Sequence, residues 1–461
     1  MSCARVQTGP MNAAWLKYLP GFLRNRLEGR HSVQQAAGNS GWLLLDRVVR
    51  SGVTFLIIIW LARYLGPQQF GVFNYVLAFV AISNAIATFG LEGIVIRELV
   101  HSPAERNEIL GTAFVIKLLG GGFSFIAAIS VIRWLRPGDD TMLWLVVIAA
   151  AGSFFLALDV IDYWFQSAVQ SKYTVIARVT SAIILNLAKA GLIIFKAPLA
   201  AFIVATFVEV ALSGVLLVVM YRMRVGEVLD WSATKARAVS LLKYSWPLFF
   251  STMVVMIYMR IDQVMIGEML GEKEVGIYSA AVRLVEMWYI VPAILVSSIF
   301  PALYKLKIDN PERYLLRIQQ SFDFMVIVSV VAGILVLIVA EQIIVLVYGD
   351  EYRDAVEVLQ IYIWSSVFVF LVVATGSYLL AENKTIFLLF RYTLGMLINL
   401  ALNWLLIPVY GIEGSAFATL IAYLFAAYLS SCLYKGMWPL FVMETRALYL
   451  PGSLMRLYGN K

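Results

Sequence analysis

The sequence predicts an all-α polytopic membrane protein, with about twelve transmembrane helices in two pseudo-symmetric six-helix bundles. Three observations carry that prediction. Of 461 residues, 61% are hydrophobic and only 14% charged, against roughly 25% charged in an ordinary soluble domain. A water-soluble surface cannot be built from this composition. Apolar runs long enough to cross a bilayer, roughly 20 residues each, recur in two sets of six, and the two sets share short motifs at a fixed displacement. The composition excludes a soluble enzyme, a disordered scaffold and a collagen-like fibre.

Residues 1–41 form a basic tail. In it Trp15, Leu16, Leu19, Phe22, Leu23 and Leu27 are interspersed with Lys17, Arg24, Arg26 and Arg30, the mixture of a segment lying on anionic lipid. Residues 1–40 show no apolar core followed by a cleavage site, so no removable signal peptide is expected. Six apolar runs at about 42–62, 70–91, 110–132, 141–164, 173–195 and 198–220 define an N-terminal bundle, 42–221. Residues 222–243, with Arg222, Arg224, Lys235, Arg237 and Lys243, read as a cytoplasmic linker. Six further runs at about 244–266, 276–302, 322–347, 356–380, 385–407 and 411–434 define a C-terminal bundle, 244–434, before a tail of 435–461.

Charge sets the orientation. With both termini in the cytoplasm, the inner segments hold 22 Lys and Arg, and the outer loops hold only Arg63, Arg133, Arg136, Lys196, Lys273 and Arg353. Such enrichment marks the cytoplasmic side, so the net charge of +7 reflects topology and no nucleic-acid partner is expected. Cys3 and Cys432 cannot build a disulfide framework. With His31 and His101 as the only histidines, no Cys/His metal site and no cofactor are expected.

The repeat is short but placed consistently. Leu65-Gly66 with Phe70-Gly71-Val72-Phe73 returns as Leu270-Gly271 with Val275-Gly276-Ile277-Tyr278, displaced by 205 residues. Ile184-Leu185-Asn186-Leu187-Ala188 returns as Leu397-Ile398-Asn399-Leu400-Ala401 in the fifth span of the second set. Six spans is an even number, so both copies keep one orientation and relate by an axis along the membrane normal. This is the architecture of an alternating-access transporter.

Leu61-Ala62-Arg63-Tyr64-Leu65-Gly66-Pro67-Gln68-Gln69-Phe70-Gly71 resembles the first-loop signature of the polysaccharide flippase family (Wzx type), within the multidrug/oligosaccharidyl-lipid/polysaccharide exporter superfamily. The resemblance continues through Phe89-Gly90-Leu91, Asp262-Gln263, Gly276-Ile277-Tyr278-Ser279, Phe300-Pro301-Ala302-Leu303, Tyr348-Gly349-Asp350 and Gly411-Ile412-Glu413-Gly414, covering about residues 41–435. It implies flipping of polyprenyl-diphosphate-linked oligosaccharide repeat units across the bacterial plasma (inner) membrane, for O-antigen, capsule or exopolysaccharide. Membrane lipids, a polysaccharide polymerase and a chain-length regulator would be its partners. The alternative is a cation-coupled multidrug exporter of the same superfamily.

Ionisable residues inside a bilayer are costly and mark function. Arg47, Arg50, Lys117, Lys189, Arg260 and Arg283 are the candidate substrate-binding cations. They occur in both halves and on both sides of the midplane, as a water-filled cavity for an anion requires. Arginine also grips a diphosphate through paired hydrogen bonds. Glu209 lies near the middle of its span, with no cation three or four positions away, and is the candidate ion-coupling residue. Local explanations compete with these. Asp46–Arg50 and Arg283–Glu286 have the spacing of same-helix ion pairs, and a cation from a neighbouring helix would neutralise Glu209. Arg178 and Arg391, near span ends, have the length to snorkel to headgroups.

Gly120-Gly121-Gly122 allows close packing or a bend, and Pro247, Pro292 and Pro301 kink or end helices. Neither a G-x-x-x-x-G-K-[ST] phosphate loop nor a long outer loop is present, so the sequence argues against an enzyme. The acidic outer cluster Asp350, Glu351, Asp354 and Glu357 reads as a solvated face.

Overall fold

The computed structural model describes the backbone of residues 31–382 and 384–458; the basic segment 15–30 lies outside the described residues. The first half comprises α1 (His31–Thr88), α2 (Glu92–His101), α3 (Arg106–Leu135), α4 (Asp140–Ala150), α5 (Val160–Ser167), α6 (Lys172–Ile194) and α7 (Leu199–Arg224). A 3₁₀ stretch, Ala151–Asp159, joins α4 to α5 into one span. The second half comprises α8 (Lys235–Met269), α9 (Glu272–Trp288), α10 (Ile290–Asp309), α11 (Pro311–Tyr348), α12 (Ala355–Tyr362), α13 (Ser365–Ala381), α14 (Thr385–Leu424) and α15 (Ser430–Leu433). Two further helices, α16 (Trp438–Leu448) and α17 (Leu450–Tyr458), fold back on α11, where Arg456 binds the fully buried Asp323 at 2.8 Å.

Ten helical stretches among the described residues are long and apolar enough to cross a membrane. Two of them are too long to cross once. Val49–His101 has 53 residues and Ile386–Leu433 has 48; at 1.5 Å per residue, 53 residues reach about 80 Å, against a hydrocarbon core of about 30 Å. Each breaks at a glycine: Gly66 at φ 67°, ψ 172°, and Gly411 at φ 60°, ψ −141°. Positive φ costs glycine little because it has no Cβ. Each stretch therefore holds two spans, and the crossings number twelve.

The remaining breakers act as the local chemistry dictates. α3 runs unbroken through the glycine triplet, which serves packing: the Ser153 hydroxyl donates to the Gly121 carbonyl at 3.0 Å. Helices α9 and α10 part at Tyr289, where the Pro292 ring would clash with the carbonyl four residues back. Pro247 lies inside α8.

The halves meet at two levels. At the end of the 66 and 271 turns, α1 packs most extensively against α9, and a single hydrophobic cluster unites Leu61, Phe70 and Tyr75 with Val275, Tyr278 and Tyr352. Arg63 donates to the carbonyls of Leu346 and Val347, and the Tyr352 hydroxyl donates to the Ala62 carbonyl at 2.8 Å. Towards the opposite end, Leu248 and Phe249 of α8 press on Gly90, and Phe249 stacks on Phe89 at 5.5 Å.

The link between the halves shortens to 225–234, because α7 and α8 extend into it. It is docked. The Ser232 amide donates to the Asn107 carbonyl at 3.2 Å, and Arg237 pairs with Glu98 at 3.5 Å, with Glu108 at 3.8 Å and with Glu105. The first turns of α8 are therefore tied to the first half.

Candidate functional site

The first half, joined by Arg283 of the second, lines a cavity of about 540 Å³. Its apolar lining comes largely from α1, with Ile57, Ile58, Leu61, Phe73 and Leu77, and from the 3₁₀ stretch, with Phe155 and Leu156. Residues three apart eclipse in a 3₁₀ helix, which sets Asp159 on the same cavity-facing edge as Leu156. The polar lining comprises Arg50, Asp159, Arg178, Lys189, Glu209 and Arg283. Four cations face two carboxylates. Asp46 and Asp162, just behind the lining, offset Arg50 and Arg178, so Arg283 is the lining cation that no ion pair compensates among the described residues.

Counting 1.5 Å per residue from the outer turns orders these groups by depth. Lys189 lies roughly 13 Å down, and Glu209 and Arg283 about 17–18 Å. Arg50 lies about 24 Å down, and Asp159 and Arg178 about 30 Å or more, the 3₁₀ stretch before Asp159 rising faster per residue. The cavity lining thus has cations at successive depths.

Each charged group has a definite partner. Lys189 Nζ lies 2.7 Å from Glu209, so the neighbouring helix supplies the cation that same-helix spacing does not. Arg178 spans Asp159 and Asp162, both at 3.1 Å, and does not snorkel. Arg50 pairs with Asp46 at 3.4 Å, as their four-residue spacing suggested. Arg283 does not pair with Glu286; that carboxylate goes to Arg260 at 3.3 Å. Instead Arg283 donates to Asn74 of the other half.

Of the candidate substrate-binding cations, the structure brings Arg50, Lys189 and Arg283 into the cavity lining, together with Glu209. Lys117 and Arg260 lie outside that lining. Lys117 is buried, with its Nζ 3.1 Å from the Tyr163 hydroxyl and 3.8 Å from Asp159. Arg47 sits on α1, but its side chain is outside the described residues. Arg391, fully buried, donates to Thr375 and to the carbonyls of Ala426 and Ala427, within a π-helical turn at Phe425–Leu429. It satisfies backbone oxygens and does not reach the headgroups. Sequence reasoning passed over Asn74 because it is uncharged, although a polar amide within an apolar span was the available signal.

Comparison with known proteins places this geometry. The family model described as "Polysaccharide biosynthesis protein" matches residues 36–307, and the MatE model matches 247–405. The chain is 25% identical over 399 residues to the probable low-salt glycan biosynthesis flippase Agl15 of Haloferax volcanii, covering 84% of this chain and 82% of that protein. Its fold matches the lipid II flippase MurJ in an inward closed conformation, with TM-score 0.67 and 15% identity over 91% of each chain. It matches equally an inward-facing multidrug resistance transporter of the MATE family, with TM-score 0.67 and 14% identity over 87% of this chain and 95% of that one. Matched by its family model over more than half of its length, the chain belongs to the polysaccharide biosynthesis protein family.

Proposed function

We propose that this protein translocates polyprenyl-diphosphate-linked oligosaccharides across the plasma membrane by alternating access. The observation that carries the reading is Arg283, a cavity-lining cation held by a neutral amide in place of a carboxylate. A diphosphate cannot cross hydrocarbon unaided, because a bare buried charge costs many kcal/mol. The glycan and diphosphate occupy the cavity while the polyprenyl tail stays in lipid. Arg50 receives the diphosphate first and Arg283 next, in order of depth. The glycan-flippase name of the Haloferax relative and the lipid II flippase fold support this class of cargo.

Alternation follows from the two contact levels. Release of the Gly90–Phe249 contact opens one side, and release of the α1–α9 contact opens the other, with α8 bending near Pro247. Glu209 couples the cycle to an ion gradient through its Lys189 pair. A proton or cation on the carboxylate frees Lys189 for the anionic cargo. Both termini are cytoplasmic in this reading, and the work is transport without covalent chemistry.

The competing reading, export of cationic drugs, requires an apolar or acidic cavity and is disfavoured by Arg283, which no carboxylate neutralises among the described residues. The experiment replaces the sole genomic copy by Arg50→Glu/Arg283→Glu and measures surface polysaccharide. Loss is expected, with partial function in Arg50→Lys and Arg283→Lys, which keep charge but lose the two-pronged guanidinium. Normal polysaccharide in the double Glu variant, or export of cationic dyes by the purified wild type, would overturn the assignment.

A further inference from the structure

The cavity's four cations differ in what compensates them. Lys189 has Glu209, Arg178 has Asp159 and Asp162, and Arg50 has Asp46. Arg283 makes no ion pair among the described residues. The carboxylate nearest in sequence, Glu286, is held by Arg260. Arg283 Nε and Nη2 instead share the Oδ1 of Asn74, at 3.2 and 2.7 Å.

Asn74 is only 1% exposed, and its orientation is set independently of Arg283. Its Nδ2 donates to the Phe70 carbonyl at 2.7 Å, which turns Oδ1 towards the arginine. The contact also joins the halves, since Asn74 lies on α1 and Arg283 on α9. The repeat does not duplicate it. At the 205-residue displacement the counterparts of Asn74 and Arg283 are Ser279 and Ala78, so the second copy of the repeat lacks this pair.

An unpaired arginine in a low-dielectric site is expensive, and aspartate at position 74 would give the same grip with charge neutralisation. Asparagine gives the grip without it. We propose that Asn74 is a positioning residue for the substrate's diphosphate. It fixes two guanidinium nitrogens through a neutral oxygen and leaves the Nη1 edge, with the full positive charge, to the incoming anion. This rests on the lipid-diphosphate reading and names the residue that prepares its second cation.

The test measures equilibrium binding of farnesyl diphosphate, with uncharged farnesol as control, to purified protein in detergent. Arg283→Gln and Asn74→Asp should each weaken diphosphate binding by about tenfold or more, with farnesol unchanged, because both remove the free charge. Asn74→Leu and Arg283→Lys should each weaken it about threefold, and their combination no further than the weaker single variant, since each breaks the same contact. Wild-type affinity in Asn74→Asp beside a weakened Arg283→Gln would overturn the proposal. Additive losses in the Asn74→Leu/Arg283→Lys cycle would do the same, and that cycle decides the matter should Asn74→Asp fail to fold. If wild type shows no preference for diphosphate over farnesol and Arg283→Gln changes nothing, the transport reading fails, and the proposal with it.

Discussion

Gly71 and Gly276, equivalent positions of the two halves, meet backbone to backbone across the pseudo-symmetry axis. A Cβ on Gly71 would overlap the Glu272 carbonyl and stand 2.9 Å from the Gly276 amide nitrogen; a Cβ on Gly276 would overlap the Pro67 carbonyl and stand 3.0 Å from the Gly71 nitrogen. The sequence repeat is therefore also a contact between the halves. Overpacking costs about 1–3 kcal/mol, which shifts a two-state equilibrium by roughly 5- to 150-fold. Gly71→Ala and Gly276→Ala should each hold the protein open at that contact. Cysteine labelling of cavity positions from outside the cell should rise, and transport should fall. Unchanged labelling would mean that the contact does not govern closure.

Arg136 is the polar counterpart of that glycine contact. From the end of α3 it binds Glu268 at 2.8 Å and Glu272, donates to the Gly267 carbonyl at 3.1 Å, and lies 4.4 Å over the Tyr75 ring. Its side chain is 13% exposed, so solvent screens these bonds only partly. Removing one partner of a largely buried pair costs about 3–5 kcal/mol when fully desolvated and less here. Arg136→Ala should open the same end as Gly71→Ala, and a cross-link between Arg136→Cys and Glu272→Cys should form in wild-type-like protein and block transport.

The Lys189–Glu209 pair predicts opposite effects on binding and turnover. Glu209→Gln exposes the Lys189 charge to the cavity. Diphosphate binding should tighten while gradient-driven flux falls, because release becomes slow and no carboxylate remains to load. Lys189→Met should weaken binding and leave Glu209 without its 2.7 Å partner. Undiminished flux in Glu209→Gln would remove this carboxylate from coupling.

Glu444 gives a pH test outside the spans. It is fully buried on α16, and burial pushes its carboxyl up to about 8, although Arg391 nearby favours the ionised form. The unfolded value is 4.5. The folded state thus holds a proton that the unfolded chain releases. Its contribution to stability is full below about pH 4.5 and is lost as pH rises through about 8. Melting of the detergent-solubilised protein should fall across that window, and Glu444→Gln should flatten the fall. Equal pH profiles for the two proteins would refute the assignment.

Orientation is tested by cysteine accessibility. Lys235→Cys should label only from the cytoplasm and Lys273→Cys only from outside, because the two flank a single span, α8. The reverse pattern would invert the topology.

Twelve crossings and two like-oriented halves were legible in the sequence. Span length and an even repeat are properties of the chain itself. The 225–234 link was visible as polar, but its docking through Arg237 was not, since the three glutamates it meets lie on α2, α3 and the turn between them. Charge pairing was legible only within one helix: Asp46–Arg50 closed at its four-residue spacing. Arg283–Glu286, also favourably spaced, gave way to Asn74 and Arg260 from other helices. The physical reason is rotational. A span that faces lipid on one side and protein on the other is apolar all round, so its sequence carries little record of which face turns inward. Packing sets that rotation, and with it decides that Arg283 meets a neutral amide, Lys189 a carboxylate and Arg391 the carbonyls of a π-turn.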